Sequence, residues 1–172
     1  ISNTAANVDR YANGEGLRAF VASYAAMGAN APTMQLTYTN SAGTTGRTTT
    51  AGIVSTASAT SGTILNSGNA ANKVGPFLTL AAGDTGIKDL ESLAWGGTAH
   101  ASGSVFIGLC KPLCMPIPVP ATGLYNMVDF VNTLPSMPRL RNGANIQFLV
   151  FGTGATTAAA TLYTNFDYGW GG

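Results

Sequence analysis

Apolar and polar residues alternate along the segment that begins at Met34. Met34, Leu36 and Tyr38 fall on one face of an extended chain, and the Gln and Thr residues between them fall on the other. Because successive side chains of a strand point to opposite faces, this pattern predicts a strand with one buried face. The polar run at residues 40–43 predicts the turn that follows it.

The N-terminal part of the chain has a different period. Its large apolar residues recur at steps of three and four, namely Leu17, Phe20, Val21, Tyr24 and Met27. This spacing predicts a short amphipathic helix over roughly residues 16–28, which ends at the stop signals between residues 28 and 32. Such a helix either packs on its own sheet or forms an arm that docks on a neighbouring molecule.

Several later segments are rich in β-branched and aromatic residues and are bounded by Gly, Pro or Asn. They predict further strands at residues 77–80, 104–109, 125–131, 145–151 and 161–168. Residues 48–60 alternate poorly and predict an exposed, edge-like strand and loop. Residues 87–95 are ambiguous, because Ile87, Leu90 and Leu93 step by three, but their place between glycine turns favours a bulged strand.

Short strands at this spacing predict a mainly β protein, built as an antiparallel β-sandwich of jelly-roll type with a short N-terminal helix. We divide the chain into an N-terminal extension, residues 1–33, and a sandwich domain, residues 34–172. The first residue is Ile1 rather than methionine. We therefore expect a processed chain or the ordered part of a longer product.

Charge is the unusual feature of the composition. Only 9% of the residues are Asp, Glu, Lys or Arg, against about 25% in ordinary soluble domains. A surface with so little charge indicates that much of it is covered in an assembly, although a secreted domain rich in Thr and Ser is the alternative. The net charge of +1 and the scattered basic residues give no field for nucleic acid, and no apolar run is long enough for a membrane helix.

A search for catalytic chemistry finds little. The only histidine, His100, lies in a loop of small residues and is expected to be a surface or hydrogen-bonded group. Cys110 and Cys114 are too few for a zinc site and, in an extended chain, too far apart for a disulfide, so reduced thiols are expected. Asp84, Asp89 and Glu91 form a mixed-charge segment with Lys88, without a glycosidase motif. We expect no enzyme activity, cofactor or metal.

Three elements are candidates for contact with a partner. The first is the predicted helix, the second a proline-rich segment at residues 112–120 and the third the aromatic C-terminal end. Prolines exclude the second from a central strand, so it runs along a surface, over its own sandwich or over a neighbour. The residues proposed for the interface are Leu17, Phe20, Tyr24, Met115, Ile117, Phe166, Tyr168 and Trp170.

Four phrases of the chain resemble, in wording and order, the C-terminal β domains of a family of tailed-bacteriophage virion proteins. They start at Leu36-Thr37-Tyr38-Thr39-Asn40, Leu80-Ala81-Ala82-Gly83-Asp84, Leu109-Cys110-Lys111-Pro112-Leu113 and Leu134-Pro135-Ser136-Met137-Pro138, and the ending Phe166-Asp167-Tyr168-Gly169-Trp170 is similar as well. These phrases are turns and strand ends rather than catalytic motifs. The resemblance implies a structural protein on the surface of a phage head, made in the host cytoplasm.

Three functions are weighed on this basis. The leading one is a capsid decoration or cement subunit that stabilises the head through the major capsid protein and copies of itself. The second is a host-recognition module of a fibre or tail that binds a surface glycan through loops rich in Thr, Asn and Gly. The third, a small hydrolase acting through His100, Asp89 or Glu91, is the least favoured.

Overall fold

The computed structural model describes residues 11–65 and 75–113, together with the single residues Ile146 and Leu149. The strands predicted at residues 125–131 and 161–168 lie outside these residues, as does all but two residues of the segment 145–151. The same holds for Cys114 and for the proposed contact residues Met115, Ile117, Phe166, Tyr168 and Trp170.

The described chain is mainly β, and its sheets are antiparallel, which confirms the predicted class. The strands are β1 (Arg18–Ala25), β2 (Thr33–Asn40), β3 (Arg47–Thr48), β4 (Ile53–Val54), β5 (Ile87–Gly96) and β6 (Ser104–Cys110). In one sheet β1 pairs with β6. In the other, β2 is central, with β5 on one side and the short β3 and β4 on the other.

One hydrophobic core joins the two sheets. Ala19 and Val21 of β1 belong to the same buried cluster as Met34, Leu36 and Tyr38 of β2. Leu36 and Tyr38 are fully buried, as the alternation of β2 predicts. The sequence boundary drawn after residue 33 thus falls at the first residue of β2, and β1, on the other side of that boundary, shares the same core.

The predicted N-terminal helix is wrong, because residues 18–25 form β1. On the edge of β1 away from β6, the Ser23 N–H donates to the Thr63 carbonyl, and the Leu65 N–H donates to the Val21 carbonyl. Both edges of β1 are therefore hydrogen-bonded. Five consecutive residues of β1, from Ala19 to Ser23, are buried. A strand buried on both faces does not alternate between apolar and polar residues. The large apolar residues of this segment therefore had the spacing expected of a helix. No part of the described chain forms a helix able to cross a membrane.

The step of three in residues 87–95 is produced by two β-bulges, as the predicted bulged strand requires. Leu36, Tyr38 and Asn40 of β2 are two apart, whereas their partners on β5 are Leu93, Leu90 and Ile87. The register shifts by one residue at each step, which leaves Glu91 and Lys88 as the extra residues. Each bulge therefore returns the next apolar side chain to the core face.

One further prediction needs correction, the strand at residues 77–80. Residues 77–80 form no strand, although the Leu78 N–H donates to the Ala19 carbonyl and the Thr79 carbonyl accepts from Thr50. These two hydrogen bonds go to two different segments, so residues 77–80 are held in place without forming a regular β-ladder with either one. Residues 48–60, expected as a strand and loop, contain the last residue of β3 and the short strand β4, with a turn at residues 51–52 between them.

The turn before β1 lies against the start of β5 through two glycines. Glu15 bridges to Gly86, and the Ile87 N–H donates to the Leu17 carbonyl. Gly14 has a φ of +67°, and a Cβ at this position would overlap the backbone of Ile87. The close approach of the two backbones therefore requires glycine.

Gly14→Ala should destabilise the protein more than Gly43→Ala, which serves as its matched control. Gly43 also has a positive φ, +85°, but no atom lies within 4 Å of its Cβ position. Its replacement should cost about 1–2 kcal/mol for the left-handed backbone alone. At Gly14 the clash should add roughly 1–3 kcal/mol, measured by denaturant unfolding. Equal losses for the two variants would contradict the backbone contact.

Candidate functional site

The charged residues of the described chain gather at one end of the molecule. They are Glu15, Arg18, Arg47, Asp84, Lys88, Asp89, Glu91 and Lys111. The start of β1 bonds to the start of β5 there, and β2 ends beside the same residues, with Asn40 opposite Ile87. Arg18 lies opposite Cys110 at the end of β6. We call this the charged end.

The opposite end carries no charged side chain among the described residues. It consists of three loops, at residues 26–32, 55–63 and 97–103, whose exposed residues are Ala, Gly, Ser and Thr. Gly28 joins them, because its N–H donates to Ser102 and its carbonyl accepts from Ser58. The Asn30 amide also donates to the Ala99 carbonyl at 2.8 Å. We call these three loops the neutral end.

His100 connects the three loops of the neutral end through hydrogen bonds. Its Nε2 lies 2.8 Å from Ser55 Oγ, and its Nδ1 lies 3.3 Å from the Gly28 carbonyl. The imidazole also meets the Trp95 ring edge to face, with centroids 5.4 Å apart. A serine next to histidine is the pairing used in nucleophilic catalysis, but Ser55 is fully buried. Its hydroxyl is out of reach of a substrate in this conformation, and the pair holds three loops together.

Asp84 organises the charged end. Its carboxylate accepts hydrogen bonds from the Tyr38 hydroxyl at 2.6 Å, the Asn40 amide at 2.7 Å and Arg47 Nε at 2.9 Å. The Tyr38 hydroxyl in turn accepts from the Ala81 N–H. One side chain thus ties the core strand β2 to β3 and to the loop that carries Asp84 itself.

These contacts shift the pKa values of Asp84 and Tyr38. The hydrogen bond from Arg47, followed by that from Tyr38, lowers the pKa of Asp84 to about 2. Burial, followed by the bond to Asp84, raises the pKa of Tyr38 to about 12. The cluster is therefore a carboxylate and a neutral phenol over a wide range of pH, which suits a structural tie.

A second carboxylate of this region, that of Glu91, also accepts hydrogen bonds from the chain near the end of β2. Glu91 Oε1 accepts from the Thr39 hydroxyl and from the Gly46 N–H, each at 2.9 Å. Glu91 therefore holds the turn between β2 and β3, and the two residues that flank this turn, Asn40 and Arg47, bind Asp84. Within residues 11–65 and 75–113, no group of three His, Cys, Asp or Glu side chains is arranged to hold a metal ion. Cys110 is a free, half-buried thiol whose pKa is raised by burial.

An aromatic pair lies on the face of β1 and β6 that points away from the core. Phe20 is opposite Gly108, and a Cβ on Gly108 would overlap the Phe20 ring. Phe20 also meets Phe106 edge to face, with centroids 6.1 Å apart. Phe20 is 8% exposed, whereas Phe106 is 44% exposed. The absence of a side chain at Gly108 thus leaves room for the Phe20 ring, while the Phe106 ring lies at the surface.

The contact residues proposed from the sequence and described in the structure fall in three different environments. Leu17 is buried at 3% exposure, Phe20 is covered as above, and Tyr24 is 74% exposed. Sequence reasoning did not single out Phe106. In β6, Phe106 shares a face with Ser104 and Gly108, while the alternate residues are apolar. This pattern could have indicated that Phe106 lies on the face away from the core.

No family model, curated protein or solved structure matches this chain.

The Asp84 cluster should make stability fall in acid. Because the pKa of Asp84 is lowered from 3.8 to about 2 in the folded protein, the stabilisation is complete above about pH 4 and is lost as the pH falls towards 2. Urea unfolding of the wild type at pH 7, 4, 3 and 2.5 should show this loss. Asp84→Asn should be less stable at pH 7 and should depend less on pH, while Asp89→Asn should retain the Asp84 contribution. Parallel pH curves for wild type and Asp84→Asn would contradict the assignment.

Proposed function

We propose that this chain is a structural subunit of a bacteriophage particle, a decoration or cement protein on the head. It acts by binding the major capsid protein and copies of itself. Binding the assembled shell stabilises that state by mass action. Its fold in this proposal is an antiparallel β-sandwich of jelly-roll type.

The separation of charge between the two ends is the observation that carries the proposal. A charge that is removed from water without a partner costs several kcal/mol or changes its protonation. The neutral end has no charged side chain in its three loops, so it can be buried against another protein without that cost. The centres of protein interfaces are depleted of charge in the same way.

The neutral end is also pre-organised. Gly28, Asn30 and His100 bind its three loops to one another. Ordering flexible loops during association costs free energy. Because the loops of the neutral end are already ordered in the folded subunit, binding does not have to order them. Its exposed Ala and Gly residues have no side-chain rotamer freedom to lose on binding. Both features favour a permanent contact over a transient one.

The sequence resemblance supports the choice of particle. The phrase that begins at Leu36 runs through β2 and its turn, and the phrase that begins at Leu80 contains Asp84. Two of the four phrases that resemble phage virion proteins are therefore the segments joined by the Asp84 cluster. A shared fold is the simplest basis for such a resemblance.

Introducing a charge at the neutral end should prevent incorporation into particles. Ala29 is exposed in the first loop of that end, and Ala42 is exposed in the turn at the charged end. Ala29→Glu should reduce the number of copies per particle, while Ala42→Glu, the matched control, should be incorporated like the wild type. Quantitative mass spectrometry of purified particles measures both.

Particles that lack the protein, or that carry Ala29→Glu, should release their genome at a lower temperature than wild-type particles. Equal incorporation of the two glutamate variants would contradict the role of the neutral end. Unchanged heat resistance of particles without the protein would contradict the cement function. Electron microscopy that finds the protein on a fibre or tail would favour the glycan-binding alternative.

A further inference from the structure

The outer edge of β6 has the properties of a strand-pairing surface. β6 pairs with β1 along one edge over its whole length, from Ser104 opposite Ala25 to Cys110 opposite Arg18. No other described strand pairs with β6. A strand edge presents a row of backbone N–H and C=O groups, and these select another extended chain as the partner.

β6 also lacks the features by which proteins usually protect an edge. Such edges carry charged residues, prolines or bulges. β6 reads Ser-Val-Phe-Ile-Gly-Leu-Cys, without charge or proline. The register shift in this sheet lies on β1, between Ser23 and Ala25, while β6 itself is regular. Over the part of the chain that the structure describes, the outer edge of β6 is regular, uncharged and paired with no strand.

The sequence of β6 is complementary to itself in the antiparallel direction. About a two-fold axis at Ile107, Phe106 faces Gly108 of a second copy, Val105 faces Leu109, and Ser104 faces Cys110. The structure already contains one pairing of this kind, since Phe20 lies opposite Gly108 and covers it. A second copy would place its Phe106 beside that same Phe20 ring.

Charge favours a second copy as the occupant of this edge. Residues 92–110, which include all of β6, contain no Asp, Glu, Lys or Arg. Two such edges meet without like-charge repulsion, whereas a charged strand would gain no counter-charge. We propose that β6 pairs with β6 of a second copy, so that the two β1–β6 sheets become one continuous antiparallel sheet. This rests on the proposed function, in which the subunit contacts copies of itself.

A disulfide across the two-fold axis tests the register directly. Opposed residues in antiparallel strands have Cα atoms about 4.5–5.5 Å apart, within the range of about 4.4–6.8 Å that a disulfide spans. In a Cys114→Ser background, Ser104→Cys should therefore form a dimer through the natural Cys110 of the second copy. Mild oxidation of the full chain, followed by peptide mass spectrometry, should find residue 104 linked to Cys110. Ser102→Cys, two residues out of register, is the control.

A second measurement uses the chain without added cysteines. Light scattering after size exclusion should find the wild type as a dimer. Phe106→Lys should lose the dimer, because it places a charge at the edge in both copies, whereas Tyr24→Lys, on β1, should retain it. A wild-type monomer, or equal cross-linking of the two cysteine variants, would overturn the proposal. Both assays use purified protein without particles, so failure here is distinct from failure of the Ala29→Glu incorporation test.

Discussion

The burial of Tyr38 is the constraint on which most of the described structure depends. Its ring is fully buried at the centre of β2, so its hydroxyl must find partners within the protein. Asp84 and the Ala81 N–H provide them. A carboxylate in that position must itself be compensated, and Arg47 and Asn40 do so. The path of two loops at the charged end therefore follows from one phenol in the core.

The same arrangement explains how a chain with so few charges distributes them. At the charged end, Arg47 and Asp84 form an ion pair, and Glu91 accepts a hydrogen bond from the backbone of Gly46. The other end relies on backbone groups, Asn30 and His100. A neutral surface that is held rigid by neutral hydrogen bonds can be covered by a partner at little electrostatic cost.

Several elements were predictable because a single face of each is buried. The alternation of β2 gave its bounds closely, and the ambiguous segment at residues 87–95 was resolved correctly as a bulged strand. β1 was not predictable, since neighbours cover both of its faces and both of its edges, and its apolar spacing then fits a helix. The partners of Asp84 and His100 were equally hidden. Tyr38 and Asp84 are 46 residues apart in sequence, and Ser55 and His100 are 45 apart.

The sequence by itself determined the β class, the scarcity of charge and the absence of recognisable catalytic motifs, because these depend on composition and local period. Only the tertiary structure decided which residues share an end of the molecule. It collected the charges around Asp84, brought three distant loops to His100 and placed β6 beside β1, leaving Phe106 at the surface. These outcomes depend on strand pairing between distant segments, and local sequence carries no record of which segments will pair.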